Sequence, residues 1–352
     1  MIKKYFTVKG KRIGFGCPTF IIAEMSGNHK HDIRRAYKII DEAAYAGVDA
    51  IKLQTYTPDT MTIPAKTKWF KIGKANTWAG QTLHDLYKTA YTPWEWQPKL
   101  LKYAEKKRLI AFSTPFDISA VDFLEKCNVP LYKVASFENV DLELLKRIGE
   151  TGKPVIISRG LASIADTKLA IDTLKKAGAP AIVVLHCISS YPATLEQMNV
   201  ATVVDVRKRF NVLSGLSDHS LGLTASVTAV ALGASVVEKH FTLARKDGGP
   251  DWAFSLEPDE MRRLVTEIRD VEKAIGQPTY KPDKRESENI VFKRSLFVVA
   301  DIKKGQTLTR KNIRCIRPGY GLAPKYLDKV LGKKSIKHLT SGTPLAWKFI
   351  QR

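Results

Sequence analysis

Leu-Ser-Asp-His at residues 216–219 and Val-Glu-Lys-His at residues 237–240 are the two stretches that decide the fold of this chain. Each ends an apolar run that has the character of a β-strand, so each places a histidine, His219 or His240, at the carboxyl end of a strand. Polar groups that converge at the carboxyl ends of parallel strands are typical of barrel enzymes. Two imidazoles among them indicate a bound divalent metal ion.

Eight apolar runs are nearly continuous rather than alternating, as in strands that are buried on both faces. The predicted strands are Phe20–Glu24, Ala50–Tyr56, Leu109–Thr114, Leu131–Ser136, Pro154–Ser158, Ala181–Cys187, Val212–Ser217 and Ser235–His240. Helix-forming segments lie between them, as where Asp32 precedes and Gly47 follows an amphipathic run. This alternation predicts an α/β fold of the (β/α)8 TIM barrel type. A doubly wound open sheet is the alternative, but no Gly-x-Gly-x-x-Gly turn follows a predicted strand.

The composition changes along the chain and divides it into three parts. Residues 1–276 form the predicted barrel, with residues 1–13 as an N-terminal cap at its lower end. Residues 277–290 are polar, contain two prolines and are interpreted as a linker. Residues 291–352 have short β-like segments and turn signals, which predict a small β-rich C-terminal domain. The longest insertion of the barrel, residues 58–96, follows the second strand and is a candidate lid or partner-contact loop.

The formal net charge of +22 over 352 residues is the unusual global property of the chain. It is compatible with nucleic acid, an anionic membrane surface or anionic small substrates as partners. The basic residues are spread over many predicted helix faces, so we expect no specific nucleic-acid partner. No apolar run is long enough to span a bilayer, and the first residues lack the apolar stretch of a signal peptide. Four scattered cysteines fit a reduced, cytoplasmic protein.

Other strand ends supply lysines, hydroxyl groups and carboxylates, and such groups are costly to bury for stability alone. These residues are Glu24, Lys52, Gln54, Thr114, Lys133, Ser136, Ser158, Ser217 and Glu238. Lysines with hydroxyl groups suit an anion that has several oxygens, such as a phosphate or a carboxylate. Histidines suit Mn, Co or Zn acting as a Lewis acid. A lone lysine at a strand end is as often structural as functional, whereas a lone histidine there is more often structural, and we interpret His186 as structural.

Several ordered motifs resemble the sialic acid synthase family, and together they extend over nearly the whole chain. They are residues 21–29, 50–56, 112–116, 132–138, 215–220, 238–242 and 249–251 in the barrel, and residues 294–296, 301–305 and 316–319 beyond it. The last three are similar to the family's antifreeze-like (SAF) domain, which the resemblance therefore assigns to residues 291–352. Ala-Ser-Phe-Glu at 135–138 and Gln-Thr-Tyr-Thr-Pro-Asp at 54–59 are most similar to the pseudaminic acid branch of the family.

The resemblance implies a transferase that forms a carbon–carbon bond. In the pseudaminic acid branch, phosphoenolpyruvate condenses with 2,4-diacetamido-2,4,6-trideoxy-L-altrose and water in a metal-dependent reaction, and phosphate is released. A synthase of N-acetylneuraminate or legionaminate, using N-acetylmannosamine or a related 6-deoxy sugar, is the alternative within the family. An inactive carbohydrate- or nucleic-acid-binding protein is the remote alternative outside enzymology.

The resemblance also implies roles for individual residues. His219 and His240 match the metal ligands, usually for Mn²⁺, with Co²⁺ or Mg²⁺ as alternatives. The catalytic set is Glu24, Lys52, Lys133, His219 and His240, and Glu24 handles protons or water. Residues that match carboxylate- and phosphate-binding positions are Lys52, Thr114, Lys133, Ser136, Ser158 and Ser217. The remaining substrate-binding positions are Gln54, Glu138, Ser189, Tyr191, Glu238 and Asp251, together with Arg317, which a partner subunit inserts in a domain-swapped homodimer.

Two residues depart from the family pattern. Arg159 stands in Ser-Arg-Gly at 158–160, where the family usually has threonine, and its side chain either adds a cation near the phosphate or points away. Ser189 occupies a position where neuraminate synthases place an asparagine against the substrate, which weakens that contact.

Overall fold

Eight parallel strands form a closed barrel in the computed structural model, which describes residues 4–73 and 78–351. A two-stranded hairpin precedes the barrel and a two-stranded antiparallel sheet follows it. In chain order the strands are β1 Tyr5–Val8, β2 Lys11–Gly14, β3 Phe20–Glu24, β4 Ala50–Thr55, β5 Ile110–Pro115, β6 Tyr132–Val134, β7 Val155–Ser158, β8 Ile182–Cys187, β9 Leu213–Asp218, β10 Val236–His240, β11 Ser295–Val298 and β12 Ile313–Ile316. Strand β10 pairs with both β9 and β3, which closes the barrel and confirms the predicted TIM-barrel fold.

Helices alternate with the barrel strands, and their ends follow the capping signals of the sequence. Asp32 accepts a hydrogen bond from the Arg34 backbone N–H at the start of the first helix, and Gly47 ends it with a φ of 83°. In chain order the helices are α1 Ile33–Ala46, α2 Pro58–Met61, α3 Leu83–Ala90, α4 Gln97–Lys106, α5 Ile118–Lys126, α6 Leu142–Glu150, α7 Ile164–Ala177, α8 Thr202–Phe210, α9 Thr224–Ala231, α10 Pro258–Ile275, α11 Lys284–Glu288 and α12 Leu327–Val330. None of the helices in the described ranges is both long and apolar enough to cross a membrane.

Most of the core of the barrel unit, residues 1–276, belongs to two of its three apolar clusters. The larger one lies between the strands and the helices that surround them, and it includes Ile39 of α1 and Leu264 of α10. The smaller one lies inside the barrel at the amino ends of the strands, where Val8 and Ile13 of the hairpin pack with residues such as Phe20. Inward-facing side chains thus fill the lower half of the barrel and leave its carboxyl end for polar groups.

The second unit, residues 277–352, has its own apolar cluster around β11 and β12. These strands pair antiparallel, with Ser295 opposite Ile316. The segment predicted as a linker, residues 277–290, is not without structure, since it contains helix α11. Asp283 caps this helix by accepting from the Glu286 backbone N–H, and the Glu286 carboxylate accepts from the Asp283 N–H in return. This capping box stabilises the start of a helix in an otherwise polar segment.

Acid is expected to destabilise the barrel through His29, which lies in the loop after β3. Its Nδ1 accepts the His31 backbone N–H at 3.1 Å, and its Nε2 lies 3.0 Å from the Thr92 hydroxyl. Burial, with smaller effects of His31 and Arg35, lowers the pKa of His29 to about 3. The unfolded chain therefore takes up this proton first as the pH falls. We expect His29 to make the free energy of unfolding about 2 kcal/mol smaller at pH 5 than at pH 8.

Urea unfolding at these two pH values, with His29→Gln beside the unchanged protein, measures this effect. The variant should lose less stability on acidification, because its amide does not take up a proton. The exposed His338 provides the control, and His338→Gln should leave the pH dependence as it is. An equal acid response in the His29→Gln protein would contradict the assignment.

Candidate functional site

The predicted site residues converge at the carboxyl ends of the barrel strands, around a cavity of about 450 Å³. Those that line it are Lys52, Gln54, Lys133, Ser136, Glu138, Ser158, Ser189, Tyr191, Ser217, His219, Glu238, His240 and Asp251. Glu24 and Thr114 are buried behind Lys52 and contact it directly. Arg317 belongs to the second unit, where its guanidinium carbon lies 6.0 Å from the ring centre of Phe292.

Two lysines and two glutamates form a buried charge network on the barrel wall. Lys52 Nζ lies 2.7 Å from Glu24 Oε2 and 3.8 Å from Glu238 Oε2, and Lys133 Nζ lies 3.7 Å from Glu238 Oε1. Each of the four side chains is at most 5% exposed. Buried charges are stable only when they are paired and hydrogen-bonded, and here each ammonium group has a carboxylate within 4 Å.

Hydroxyl groups complete the network and face the same cavity wall. Lys52 Nζ donates to Thr114 Oγ1 at 3.0 Å, and Lys133 Nζ donates to Ser158 Oγ at 2.7 Å. Ser217 Oγ donates to Glu238 Oε1 at 3.1 Å. The result is a wall of two ammonium groups with adjacent hydroxyls, which is the donor set that a phosphate or a carboxylate requires.

The two glutamates of the network differ in proton affinity. Burial raises the pKa of Glu24 to about 7, even though the Lys52 ammonium opposes the change. Burial acts on Glu238 in the same direction, but Lys133 and Lys52 outweigh it and keep the pKa of Glu238 below its usual range. Glu238 therefore stays ionised near neutral pH, while Glu24 takes up or releases a proton there.

The two strand-end histidines face each other across the same cavity. Their ring centres are 5.4 Å apart, with an angle of 65° between the planes. His219 Nδ1 lies 2.9 Å from the carbonyl oxygen of Ile188, which can only accept, so this nitrogen carries the proton and Nε2 has the free lone pair. His240 Nδ1 is buried without a hydrogen-bond partner among the described residues, and Asp251 Oδ2 lies 3.7 Å from it.

These imidazoles suit a metal ion in their chemistry and in their lack of other partners. Burial lowers the pKa of both rings, so both are neutral at physiological pH, as metal ligands must be. Within the described residues no group of three or more His, Cys, Asp or Glu side chains is placed to hold a metal. A metal held by these two rings alone would keep further coordination positions for water or for substrate oxygens.

A second group of polar residues also lines the cavity. Gln54 Nε2 donates to Glu24 Oε1 at 3.0 Å, and the hydroxyls of Ser136 and Ser189 lie 3.2 Å apart. Burial raises the pKa of Glu138 to about 7. Burial also raises the pKa of Asp251 to about 6, against the opposing hydrogen bond from Ser26. These groups can donate as well as accept near neutral pH, which suits the hydroxyls and amides of a sugar.

Apolar and aromatic residues also line the cavity, and an analysis of strand ends alone misses them. We call this set of residues the apolar wall. It comes from Phe116 after β5, from Tyr56 after β4 and from the insertion that follows, and its other members are Met61, Ile72, Trp78, Leu83, Leu86, Tyr87 and Ala90. The aromatic residues of the insertion, residues 58–96, were the available signal. Residues 74–77 of this insertion lie outside the described part of the chain.

Arg159 points away from the cavity, which settles the alternative that its sequence position leaves open. Its guanidinium lies 3.2 Å from His186 Nδ1 and donates to the carbonyl oxygen of Ala162 at 3.2 Å. His186 in turn donates from Nε2 to the Met198 carbonyl at 2.7 Å. Neither Arg159 nor His186 is among the cavity-lining residues. Both side chains therefore serve the packing of loops outside the barrel wall.

The comparisons with known proteins agree with the motifs. The sequence pattern of the NeuB family matches residues 39–280, and that of the SAF domain matches residues 293–351. The pseudaminic acid synthase of Campylobacter jejuni is 40% identical over 93% of this chain and 95% of its own length. The N,N'-diacetyllegionaminic acid synthase of the same organism is 35% identical over 91% of this chain and 96% of its own length.

A solved structure has the same architecture. The crystal structure of N-acetylneuraminic acid (sialic acid) synthetase from Leptospira borgpetersenii, in complex with citrate, superposes with a TM-score of 0.73. The match covers 82% of this chain and 95% of that one, at 33% sequence identity.

Removal of the Lys52 ammonium should destabilise the fold, because it leaves the buried Glu24 carboxylate without its partner. We expect Lys52→Met to lower the free energy of unfolding by about 3 kcal/mol in weakly alkaline buffer, because Glu24 loses its partner. The loss should be smaller at mildly acidic pH, since Glu24, with a pKa of about 7, then takes up a proton. Urea unfolding followed by tryptophan fluorescence measures both values.

Two further variants make this test specific. Adding Glu24→Gln to Lys52→Met should recover most of the lost stability, because no carboxylate is then left unpaired. Lys168→Met breaks an exposed helical pair with Asp172 and should change stability little. A Lys52→Met protein that is equally unstable at both pH values, with no recovery in the double variant, would disprove the pairing.

Proposed function

The chain belongs to the NeuB family, and from this membership we propose that it is a pseudaminic acid synthase. Its relatives are nonulosonic acid synthases, which form a carbon–carbon bond with phosphoenolpyruvate. The proposed reaction joins phosphoenolpyruvate to 2,4-diacetamido-2,4,6-trideoxy-L-altrose with one water and releases phosphate. The single observation that carries it is the cavity itself, in which Lys52 and Lys133 with their hydroxyls face two neutral imidazoles.

The lysine wall binds the anionic substrate in this proposal. Lys52 and Lys133 supply two cations, and Ser158, Thr114 and Ser217 lie next to the charge network as hydroxyl partners. Phosphoenolpyruvate has a carboxylate and a phosphate, so it needs two such binding points at once. Because the donors are already in place and shielded from water, they stabilise negative charge without a reorganisation of solvent.

Glu24 is the proton carrier of the proposed reaction. Carbon C3 of phosphoenolpyruvate attacks the aldehyde carbon of the sugar, and water adds to C2 before the C2–O bond to phosphate breaks. The added water must lose a proton, and the former aldehyde oxygen must gain one. Glu24, with a pKa of about 7 and a hydrogen bond from Gln54, can accept the first proton near neutral pH.

His219 and His240 would hold the divalent metal, for which we propose Mn²⁺. The fit rests on the buried His240 Nδ1, which has no hydrogen-bond partner among the described residues, and on the Ile188 carbonyl that fixes the His219 tautomer. A bound metal would make the aldehyde carbon more electrophilic as a Lewis acid. Co²⁺ and Mg²⁺ remain alternatives, because imidazole and oxygen ligands accept them as well.

The apolar wall supports a 6-deoxy sugar rather than N-acetylmannosamine. Leu86, Tyr87 and Phe116 line this side of the cavity, where the methyl group of a 6-deoxy sugar has apolar neighbours. Beside Leu86 and Phe116, a C6 hydroxyl would lose its hydration without gaining a hydrogen bond from these two side chains. The precursor of legionaminate is also a 6-deoxy sugar, so the wall does not separate it from the altrose sugar. The greater identity to the pseudaminic acid synthase favours the altrose sugar.

We further propose a domain-swapped homodimer, in which Arg317 of one chain completes the cavity of the other. Exposed apolar residues support a partner over the barrel mouth, since they follow four consecutive strands, β6 to β9. They include Phe137, Val140, Leu161, Ile164, Leu195 and Leu221, each at least 49% exposed. Such residues at the mouth of a monomer are unusual and mark an interaction surface.

Phosphate release from phosphoenolpyruvate, measured with Mn²⁺ and one sugar at a time, tests the proposed reaction. We expect release with the altrose sugar and, because of the apolar wall, at least about tenfold lower kcat/KM with N-acetylmannosamine. Leu86→Asn, which keeps the branched shape of the side chain but adds an amide to the wall, should reduce the difference in kcat/KM between the two sugars. Release with the legionaminate precursor alone would keep the mechanism and change the sugar. No release with any sugar would favour the binding-protein alternative.

Mixing two impaired variants, assayed at a sugar concentration well below the KM of Arg317→Ala, tests the swapped dimer. We expect His219→Ala to abolish turnover and Mn²⁺ binding, and Arg317→Ala to raise KM for the sugar. In a mixed dimer, one cavity then combines an intact barrel with an intact Arg317 from the other chain. Activity should therefore recover after the two variants are denatured and refolded together. Arg317→Ala refolded alone is the control, and no recovery on mixing would contradict an exchange of domains.

A further inference from the structure

A completely buried ion pair joins the two strands that carry the histidines. Lys239 Nζ lies 2.9 Å from Asp218 Oδ2, and both side chains are 0% exposed. The two residues are direct partners in the parallel pairing of β9 and β10. Each one immediately precedes a histidine, so the pair lies one residue below His219 on one strand and below His240 on the other.

The pair lies on the outer side of the barrel wall. Neighbouring residues of a strand point to opposite faces, and Asp218 and Lys239 are absent from the cavity lining, whereas the histidines after them are present. Asp218 Oδ2 accepts from Ser226 Oγ of helix α9 at 2.6 Å, which anchors the pair in the helix layer. The ion pair therefore lies directly behind the two histidines and contacts neither the cavity nor solvent.

Hydrogen bonds connect the pair to the backbone that carries His219. Asp218 Oδ1 accepts from the backbone N–H of Ser220 at 2.8 Å and from its hydroxyl at 2.7 Å. Lys239 Nζ donates to the carbonyl oxygen of the same Ser220 at 2.5 Å. Ser220, the residue after His219, is thus bound to the carboxylate of the residue before His219 and to an ammonium group from the strand of His240.

Stability alone is a poor reason for this arrangement. Two charges without solvent contact lose their hydration, and an apolar pair of similar volume is often as stable or more stable. A hydrogen-bonded ion pair does, however, fix two strand ends at one separation more strictly than apolar packing does. Groups behind metal ligands set the orientation of those ligands in this way.

We propose that Asp218 and Lys239 are positioning residues that set the separation of the His219 and His240 rings for the metal. The inference rests on the proposed function in so far as it concerns Mn²⁺. Its first test is the double variant Asp218→Asn/Lys239→Met, which removes both charges, keeps one oxygen acceptor for Ser220 and places an amide N–H that can donate to the Ser226 hydroxyl. We expect the double variant to fold with an unchanged or higher melting temperature and to bind Mn²⁺ about 10–100-fold more weakly.

Electron paramagnetic resonance of free Mn²⁺, with purified protein and no substrate, measures that affinity apart from turnover. The matched control is a second ion pair at the opposite end of the barrel, where Arg269 Nη2 lies 3.2 Å from Asp49 Oδ2. Asp49→Asn/Arg269→Met should change stability and leave Mn²⁺ affinity as it is. Wild-type affinity in a folded Asp218→Asn/Lys239→Met protein would overturn the inference.

Two further measurements cover the cases in which the double variant does not fold or the wild-type protein does not bind Mn²⁺. If the double variant does not fold, Lys239→Arg keeps the charge pair but changes its length, and Mn²⁺ affinity should fall without loss of fold. If the wild-type protein binds no Mn²⁺, the metal part of the proposed function is wrong. Metal-free crystal structures of the wild-type protein and the double variant then test whether the ion pair sets the separation of the two histidine rings. The ring centres, 5.4 Å apart here, should move in the double variant, and unmoved rings would overturn the inference.

Discussion

The rest of the site depends on the mutual neutralisation of charges that the barrel wall keeps from water. Lys52 and Lys133 stay buried because Glu24 and Glu238 lie within reach of their ammonium groups. The network carries no net charge, so an incoming anion has to compete with carboxylates for the same lysines. Glu24 is the weaker competitor, since its pKa of about 7 leaves it partly protonated near neutral pH, whereas Glu238 stays ionised.

Side chains alternate between the two faces of a strand, so neighbouring residues of β9 and β10 face the cavity and the helix layer in turn. His219 and His240 face the cavity, while Asp218 and Lys239 face the helix layer. Close approach of these strands has its own requirement, since a Cβ on Gly215 of β9 would collide with the Val236 carbonyl of β10. The barrel thus places reactive groups on one side of a wall and their supports on the other.

Sequence reasoning recovers the barrel because buried parallel strands are continuous apolar runs, and it recovers most of the cavity because such strands end together. Its limits have physical causes. The run 131–136 yields only the short strand β6, since Asn139 Nδ2 donates to the carbonyls of Ser136 and Ser158 and holds a loop there. The apolar wall comes from an insertion whose placement no strand end reveals. The direction of Arg159 depends on a contact with His186, far away in sequence.

The hairpin at the lower end of the barrel limits how ligands can reach the cavity. Val8 and Ile13 pack with the first residues of the strands, so the described chain fills that end and leaves the mouth as the route in. The lysines stand on the strands themselves, whereas the apolar wall belongs mostly to the insertion after β4. In the proposed reaction, phosphoenolpyruvate would bind to groups on the strands and the sugar would contact the insertion, so both ligands would use the same entrance.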